Sequence, residues 1–174
     1  MSVDREPAQA AGAGSLAAQG GEHPLASMFA PKGIAIVGAS ERSAWSWQTF
    51  GNLHRGNYPH EIHLVNPKGG QIHGQAAVRS LREVEGRADL AVVLTGPNSL
   101  PAIMDEAAAA NVRNLVVIAA GFGEAGAEGA RMERELKERA DDLGLQILGP
   151  NNLGFISTVG ATYAWTSLMP ASLT

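Results

Sequence analysis

Cysteine is absent from the 174-residue chain, which excludes disulfide bonds, thiolate metal sites and a cysteine nucleophile. Lysine is scarce, with only Lys32, Lys68 and Lys137, and 13 basic against 17 acidic side chains give a formal charge of −4. This balance argues against general nucleic-acid binding. No apolar run reaches the roughly 18 residues of a membrane helix, and the first residues lack the apolar region of a secretory signal. We therefore expect a cytoplasmic protein without a membrane or nucleic-acid partner.

The chain divides into a tail, a domain and a second tail. Hydrophobic side chains make up 45% of the residues, enough for the core of one domain. Residues 1–24 are rich in Ala, Gly and Gln and have little apolar surface to bury, so we expect a disordered tail. Residues 25–158 carry the periodic apolar pattern of a folded domain. Residues 159–174 show no clear period, and we expect a linker toward a second domain that is absent from this chain.

Short β-branched runs alternate with amphipathic stretches through the domain. The runs predict strands at residues 34–37, 62–65, 90–95, 115–119 and 146–148. The stretches between them predict helices at residues 44–55, 80–85, 99–111 and 127–143. Strands that are apolar throughout are typical of a parallel sheet covered on both faces. Right-handed crossovers then give an α/β fold with a doubly wound parallel sheet, Rossmann-like, in three α/β/α layers.

Each predicted strand ends in a loop that contains glycine or proline. In a doubly wound sheet, ligands bind beyond the carboxyl ends of the strands. Glycine lets a ligand approach the backbone closely, and free N–H groups at a helix N-terminus favour phosphate. These loops together form the candidate ligand site, although a tight turn explains any one of the glycines taken alone.

The loops narrow the choice of nucleotide. The first loop has only Gly38 of a GxGxxG fingerprint, and Lys68 follows the second strand where an NAD site has an acidic residue. A cation at that position suits the 2′-phosphate of NADP or the 3′-phosphate of coenzyme A (CoA). Two function classes stay open on these residues: a CoA-binding module, and the NADP-binding domain of an oxidoreductase.

Five stretches occur in the order and at the spacing of a known family. They are PKGIAIVGAS (31–40), IHLVNPKGGQIHG (62–74), ADLAVVLTGP (88–97), LVVIAAGFGEAGAEG (115–129) and GLQILGPNNLG (144–154). Together they resemble the N-terminal CoA-binding domain of the NDP-forming acyl-CoA synthetases, relatives of the succinyl-CoA synthetase α subunit. The resemblance covers about residues 25–158 and implies CoA as the ligand.

The resemblance also implies which residues bind CoA. The first loop wraps the CoA phosphates, Lys68 contacts a phosphate, the third loop borders adenosine and pantetheine, and the thiol lies near the last loop. The implied binding residues are Gly38, Ala39, Ser40, Glu41, Arg42, Ser43, Lys68, Thr95, Gly96, Pro97, Ala119, Ala120, Gly121, Asn151 and Asn152. Asn152 stands where the family usually has cysteine or serine, and residues 44–47 replace a glycine-containing segment. Glu124, after the fourth strand, either caps the fourth helix or faces the CoA path.

Complete enzymes of this family phosphorylate a histidine with ATP, form an acyl phosphate and pass the acyl group to CoA. The phosphohistidine and ATP-grasp domains of those enzymes do not fit into 174 residues. None of the five histidines lies in a matching motif or has the paired spacing of a metal site: His23, His54, His60, His63 and His73. The resemblance thus implies a CoA-binding module without catalytic or metal-binding residues, whose two missing domains belong to the same polypeptide or to a partner chain.

Overall fold

A computed structural model describes residue 23 and residues 25–169. Seven strands are present in this part of the chain: β1 (Gly33–Val37), β2 (Glu61–Val65), β3 (Gly70–Ile72), β4 (Gln75–Ala77), β5 (Leu90–Val93), β6 (Asn114–Val117) and β7 (Gln146–Leu148). The α-helices of the same residues are α1 (Ala26–Phe29), α2 (Ala44–Arg55), α3 (Leu100–Ala109) and α4 (Ala127–Leu143). None of these helices is both long and apolar enough to cross a membrane.

Five of the strands form one parallel sheet in the order β2-β1-β5-β6-β7. The chain runs from β1 outward to β2, and then returns to place β5 on the other side of β1. The strand order therefore reverses between β1 and β5, and the loops after these two strands diverge around a crevice. This topology confirms the predicted doubly wound, Rossmann-like sheet.

Helices cover both faces of the sheet, because each central strand is apolar on both sides. β1, β5 and β6 are buried along their whole length. One buried cluster joins α3 and α4 to the sheet through Leu100, Met104 and Leu136, and a second joins α1 and α2 through Met28 and Leu53. The three α/β/α layers are thus confirmed, and the bounds predicted for α2 and α4 match the structure.

Two short elements differ from the sequence prediction. Residues 70–77 form an antiparallel hairpin, β3 and β4, that was not predicted, because each of its strands has only three residues and no apolar period. The helix predicted at residues 80–85 is a single 3-10 turn, Leu81–Val84. Ser80 and Glu83 form a reciprocal capping box around this turn, which satisfies its first N–H groups.

Residues 153–167 fold back onto the domain, although the sequence predicts a linker from residue 159. Antiparallel bridges join Gly154 to Trp165 and Ser157 to Thr162. Ala164 is completely buried and belongs to the cluster under α1 and α2. The segment lacks a detectable period because its buried side chains are small, and the tail predicted for residues 1–24 lies outside the described residues apart from His23.

Asn52 of α2 holds this C-terminal segment in place. Its side-chain Nδ2 donates hydrogen bonds to the carbonyl oxygens of Trp165, at 2.7 Å, and Ser167, at 2.8 Å. Asn52 itself is completely buried. A buried amide that satisfies two carbonyl groups fixes the path of the chain, so residues 159–167 are part of the domain.

Candidate functional site

The crevice between β1 and β5 begins at Gly38. Its φ of +83° lies in the left-handed region, and a Cβ atom there would come within 2.6 Å of Thr95 Cγ2. Only glycine allows the loop after β1 to pass this close to the loop after β5. Thr95 Oγ1 is buried and has no hydrogen-bond partner among the described residues. A buried hydroxyl without a partner at a strand-order reversal is suited to bonding a ligand that enters the crevice.

The loop after β1 is a tight turn that starts α2. Ser43 N donates to the Ser40 carbonyl at 3.1 Å, and Arg42 N donates to Ser40 Oγ at 3.2 Å. Ser43 is the N-cap of α2, and its Oγ accepts a hydrogen bond from Ser46 N. The turn leaves the Arg42 side chain exposed at its tip, beside the positive end of the helix dipole. Anions are favoured at such a position.

Asn66 ties the loop after β2 to the loop after β1. Its Nδ2 donates to the Ala39 carbonyl at 2.8 Å, and its Oδ1 accepts from Lys68 N at 2.9 Å. The second bond curls the chain so that Lys68 lies near the first loop. From this loop, the sequence analysis singled out only Lys68. An Asx turn is a recognisable signal for a fixed loop, but nothing in the sequence shows that Ala39 is the other partner.

A cleft of about 350 Å³ lies between these two loops. Its walls are formed by Ser40, Glu41, Arg42, Asn66, Lys68, Gly69 and Ile72. Arg42 and Lys68 bring two positive charges to this space, whereas Glu41 brings one negative charge. The structure therefore unites the predicted first loop and Lys68 in one cavity with the charge and size for phosphate groups.

The Glu41 carboxylate contacts the turn between β3 and β4. Its Oε1 accepts a hydrogen bond from His73 N at 2.5 Å, and its Oε2 lies 3.5 Å from His73 Nδ1. Burial lowers the pKa of His73, and the nearby Glu41 partly opposes this shift. His73 Nε2 lies 2.7 Å from the buried Ser46 Oγ. Sequence reasoning gave neither His73 nor Ser46 a role, because they are 27 residues apart in the chain.

Three consecutive N–H groups in the loop after β6, those of residues 121–123, are satisfied by Glu124 and Glu133. Glu124 Oε1 accepts hydrogen bonds from Gly121 N at 2.5 Å and from Phe122 N at 3.3 Å, and these bonds lower the pKa of Glu124. Glu124 therefore caps the turn after β6, and neither of its two predicted roles is observed. α4 begins at Ala127, and its N-cap residue, Gly126, provides no side-chain hydrogen bond. Ala120 is exposed beside this turn.

The loops after β6 and β7 are joined to each other. Asn152 Nδ2 donates to the carbonyl oxygens of Val117, at 3.1 Å, and Leu148, at 2.9 Å, while its Oδ1 accepts from Gly154 N at 2.6 Å. Asn151 N donates to the Ala119 carbonyl. The Asn152 amide thus holds the ends of two strands together where the family usually has a smaller side chain.

The predicted site residues form two groups along the edge of the sheet. The first loop, Lys68 and Thr95 surround the cleft and the crevice, and a Cβ added at Gly121 would meet Pro97 at 3.5 Å, which brings the loop after β6 against the loop after β5. Asn151 and Asn152 follow β7 at the outer end of the sheet. Within residues 25–169, no group of three or more histidine or acidic side chains is arranged to hold a metal ion.

Comparison with known proteins identifies the family to which the domain belongs. The profile of a CoA-binding domain matches residues 32–158. The α subunit of an ADP-forming acetate–CoA ligase I from Pyrococcus furiosus is 33% identical over 157 residues, which cover 86% of this chain and 34% of that protein. An ADP-forming acetate–CoA ligase I from Archaeoglobus fulgidus is 37% identical over 131 residues, or 75% of this chain and 19% of that protein.

A solved structure shows the same fold. A dinucleotide-forming acetyl-coenzyme A synthetase 1 from Ca. Korarchaeum cryptofilum, in complex with phosphate and ADP, superimposes with a TM-score of 0.77 at 29% identity. The superposition covers 83% of this chain and 31% of that one. This chain therefore spans about a third or less of the length of these relatives. The chain belongs to the CoA-binding domain family of the ADP-forming acyl-CoA synthetases.

Proposed function

We propose that this chain binds CoA in the cleft between the loops after β1 and β2. The observation that carries the proposal is the placement of Arg42 and Lys68 around one cavity of about 350 Å³. CoA has a 5′-diphosphate and a 3′-phosphate, and Arg and Lys side chains form charge-assisted hydrogen bonds with such groups. The N-terminus of α2, beside Arg42, adds a favourable dipole.

The crevice next to this cleft supplies the remaining contacts. The unpartnered Thr95 hydroxyl would bond a polar group of the nucleotide or pantetheine, because no described residue satisfies it. Gly96 and Pro97 continue the same wall toward Gly121. In this arrangement Ala119 and Ala120 line the path of the pantetheine arm, and Asn151 and Asn152 lie near its thiol end.

Acyl transfer to CoA requires domains that are separate from the described one. We propose that the chain is the CoA-binding part of an ADP-forming acid–CoA ligase, assisted by a phosphohistidine domain and an ATP-grasp domain. The small share of its relatives' length that the chain covers supports this division of labour. Residues 25–167 would then be one folded unit, because the segment after residue 153 packs on the sheet layer.

Calorimetric titration of the full chain with CoA, NADP and ATP tests the proposal. We expect saturable binding of CoA at one site, with NADP and ATP much weaker. The relatives reported above are acid–CoA ligases rather than oxidoreductases, which favours CoA over NADP. Tight binding of NADP by a chain that does not bind CoA would overturn the proposal.

A further inference from the structure

His73 is a buried histidine beside the cleft. Its imidazole is shielded from solvent and therefore from a ligand in the cleft. It lies in the turn between β3 and β4 with a φ of +49°, and its side chain is fully buried. The indole of Trp47 covers the imidazole with ring centroids 4.0 Å apart, and the ring of Phe50 lies 5.2 Å away. A buried polar ring in such surroundings is costly unless it is hydrogen-bonded.

The hydrogen bonds of His73 lead back to the first loop by two routes. Through Ser46, its Nε2 is connected to Ser40, because Ser46 Oγ lies 2.7 Å from Nε2 and accepts a hydrogen bond from Ser40 N at 3.0 Å. Directly, its backbone N–H donates to Glu41 at 2.5 Å. One histidine of the hairpin therefore holds two consecutive residues of the loop that lines the cleft.

The groups that contact the imidazole of His73 indicate which of its nitrogen atoms carries the proton. Ser46 Oγ already accepts the Ser40 N–H, so its own proton is free to point at His73 Nε2. The proton of a neutral imidazole then lies on Nδ1, which faces Glu41 Oε2 at 3.5 Å and makes no hydrogen bond to the described residues. Burial lowers the pKa of His73 from the ordinary histidine value of 6.5. The neutral form is therefore favoured above pH 6.5.

Hydrolases also contain a serine, a histidine and a carboxylate that contact one another in this order. Ser46, His73 and Glu41 cannot act as such a catalytic triad. Ser46 is completely buried, and its Oγ is committed to the Ser40 N–H and to His73. A substrate carbonyl would need direct access to that oxygen. The contacts among Ser46, His73 and Glu41 therefore hold the first loop in position and do not catalyse a reaction.

We propose that His73 is a positioning residue for CoA: its imidazole fixes Ser40 through Ser46, and its backbone N–H holds Glu41. This inference rests on the proposed function, since it concerns the same cleft. A loop that is already held in its binding conformation loses less conformational entropy when the ligand arrives. His73 thus raises CoA affinity without touching CoA, and the hairpin of β3 and β4 becomes part of the binding apparatus.

Paired substitutions at position 73 test the proposal at about pH 8, where histidine is neutral. His73→Leu and His73→Gln impose the same strain at a positive φ and add no charge, but only glutamine retains a polar group that can bond Ser46. We expect His73→Leu and Ser46→Ala each to weaken CoA binding about tenfold in calorimetry. His73→Gln should stay within about threefold of the wild type.

A double variant shows whether His73 and Ser46 act through one route. His73→Leu combined with Ser46→Ala should weaken CoA binding no more than about twofold beyond either single variant. His63→Leu serves as the matched control, because His63 contacts the Arg87 carbonyl and does not line the cleft. Wild-type CoA affinity in a folded His73→Leu variant, or full additivity in the double variant, would overturn the positioning role.

A measurement without ligand separates this inference from the proposed function. Amide exchange at Ser40 should be about tenfold faster in His73→Leu and Ser46→Ala than in the wild type, and close to wild type in His73→Gln. If the wild type fails to bind CoA, the proposed function falls, and Ser40 exchange still decides the role of His73. Unchanged Ser40 exchange in His73→Leu, or in His73→Ala if the leucine variant is unfolded, would overturn it.

Discussion

The side-chain amide of Asn66 donates a hydrogen bond to the carbonyl oxygen of Ala39 at 2.8 Å, which joins the loops after β1 and β2. Its carbonyl oxygen accepts the Lys68 N–H at the same time. One side chain therefore sets the width of the cleft that carries Arg42 and Lys68. In the proposed site, this contact positions the backbone that carries Lys68.

Asn66→Ala should lower both stability and CoA affinity. Two hydrogen bonds are lost, and the free energy of unfolding should fall by about 1–3 kcal/mol in urea denaturation. CoA affinity should fall as well, because the Lys68 backbone is no longer held against the first loop. Gln71→Ala, at an exposed position of β3, is the control and should change neither quantity. A fully stable Asn66→Ala variant would contradict this interpretation of the loop.

Lys68→Ala and Arg42→Ala should each weaken CoA binding five- to hundredfold, which corresponds to roughly 1–3 kcal/mol. The loss should shrink at high salt, because both side chains are exposed and their attraction to phosphate is screened. Lys32→Ala is the matched control: Lys32 is also exposed, but it precedes β1 at the opposite end of the sheet.

Dephospho-CoA identifies which phosphate Lys68 contacts. If Lys68 binds the 3′-phosphate, Lys68→Ala should affect CoA strongly and dephospho-CoA little. If it binds the diphosphate, both ligands should lose affinity equally. CoA affinity that is unchanged by both Lys68→Ala and Arg42→Ala would remove the cleft from the binding site.

Two glycine substitutions should have opposite effects on stability. Gly38→Ala places a Cβ 2.6 Å from Thr95 Cγ2 at a φ of +83°, so we expect a loss of more than about 1 kcal/mol. Gly51→Ala lies inside α2 with no atom within 4 Å of the added Cβ, and should stabilise the protein by up to about 1 kcal/mol. Thermal unfolding of both variants checks the pair. Destabilisation by Gly51→Ala equal to that by Gly38→Ala would contradict the account of the crevice.

Stability should fall as the pH decreases below 6.5, the ordinary pKa of histidine. The pKa values of His73 and His63 are both lowered, chiefly by burial. The unfolded chain therefore takes up protons at a higher pH than the folded chain. The stabilising contribution of the neutral forms is complete above pH 6.5 and is lost as the pH falls toward the lowered folded-state values.

Urea denaturation at a series of pH values measures this dependence. His73→Gln does not titrate, so its stability should decline less than that of the wild type between about pH 7 and 5. An equal decline in both proteins would show that His73 does not contribute. A wild type that becomes more stable on acidification in this range would contradict the direction of both pKa shifts.

The fold could be predicted because its signals are local. Continuous apolar runs give the central strands, and the bounds of α4 follow from charges that alternate with Met132, Leu136 and Ala140 at helical spacing before Gly144. Gly144 has a φ of +63°, the left-handed conformation that ends many helices. Signals of this kind require no knowledge of which residues meet in space.

The contacts that shape the site could not be predicted, because they join distant parts of the chain. Ser46 and His73 are separated by 27 residues, and Asn52 and Trp165 by 113. A lone histidine in a short hairpin reads as a surface residue until the hairpin is placed against α2. Similarly, Glu124 was predicted either to cap the fourth helix or to face the CoA path. Its actual partners are the backbone N–H groups of its own turn.

Amide chemical shifts during a CoA titration of the isotopically labelled chain test the central claim most directly. The account predicts that the largest shifts occur at residues 40–43, at Lys68 and at Thr95, and that they saturate together. Shifts caused by NADP at these positions should be much smaller at equal concentration. CoA-induced shifts that leave residues 40–43 and Lys68 unchanged would contradict the proposed site.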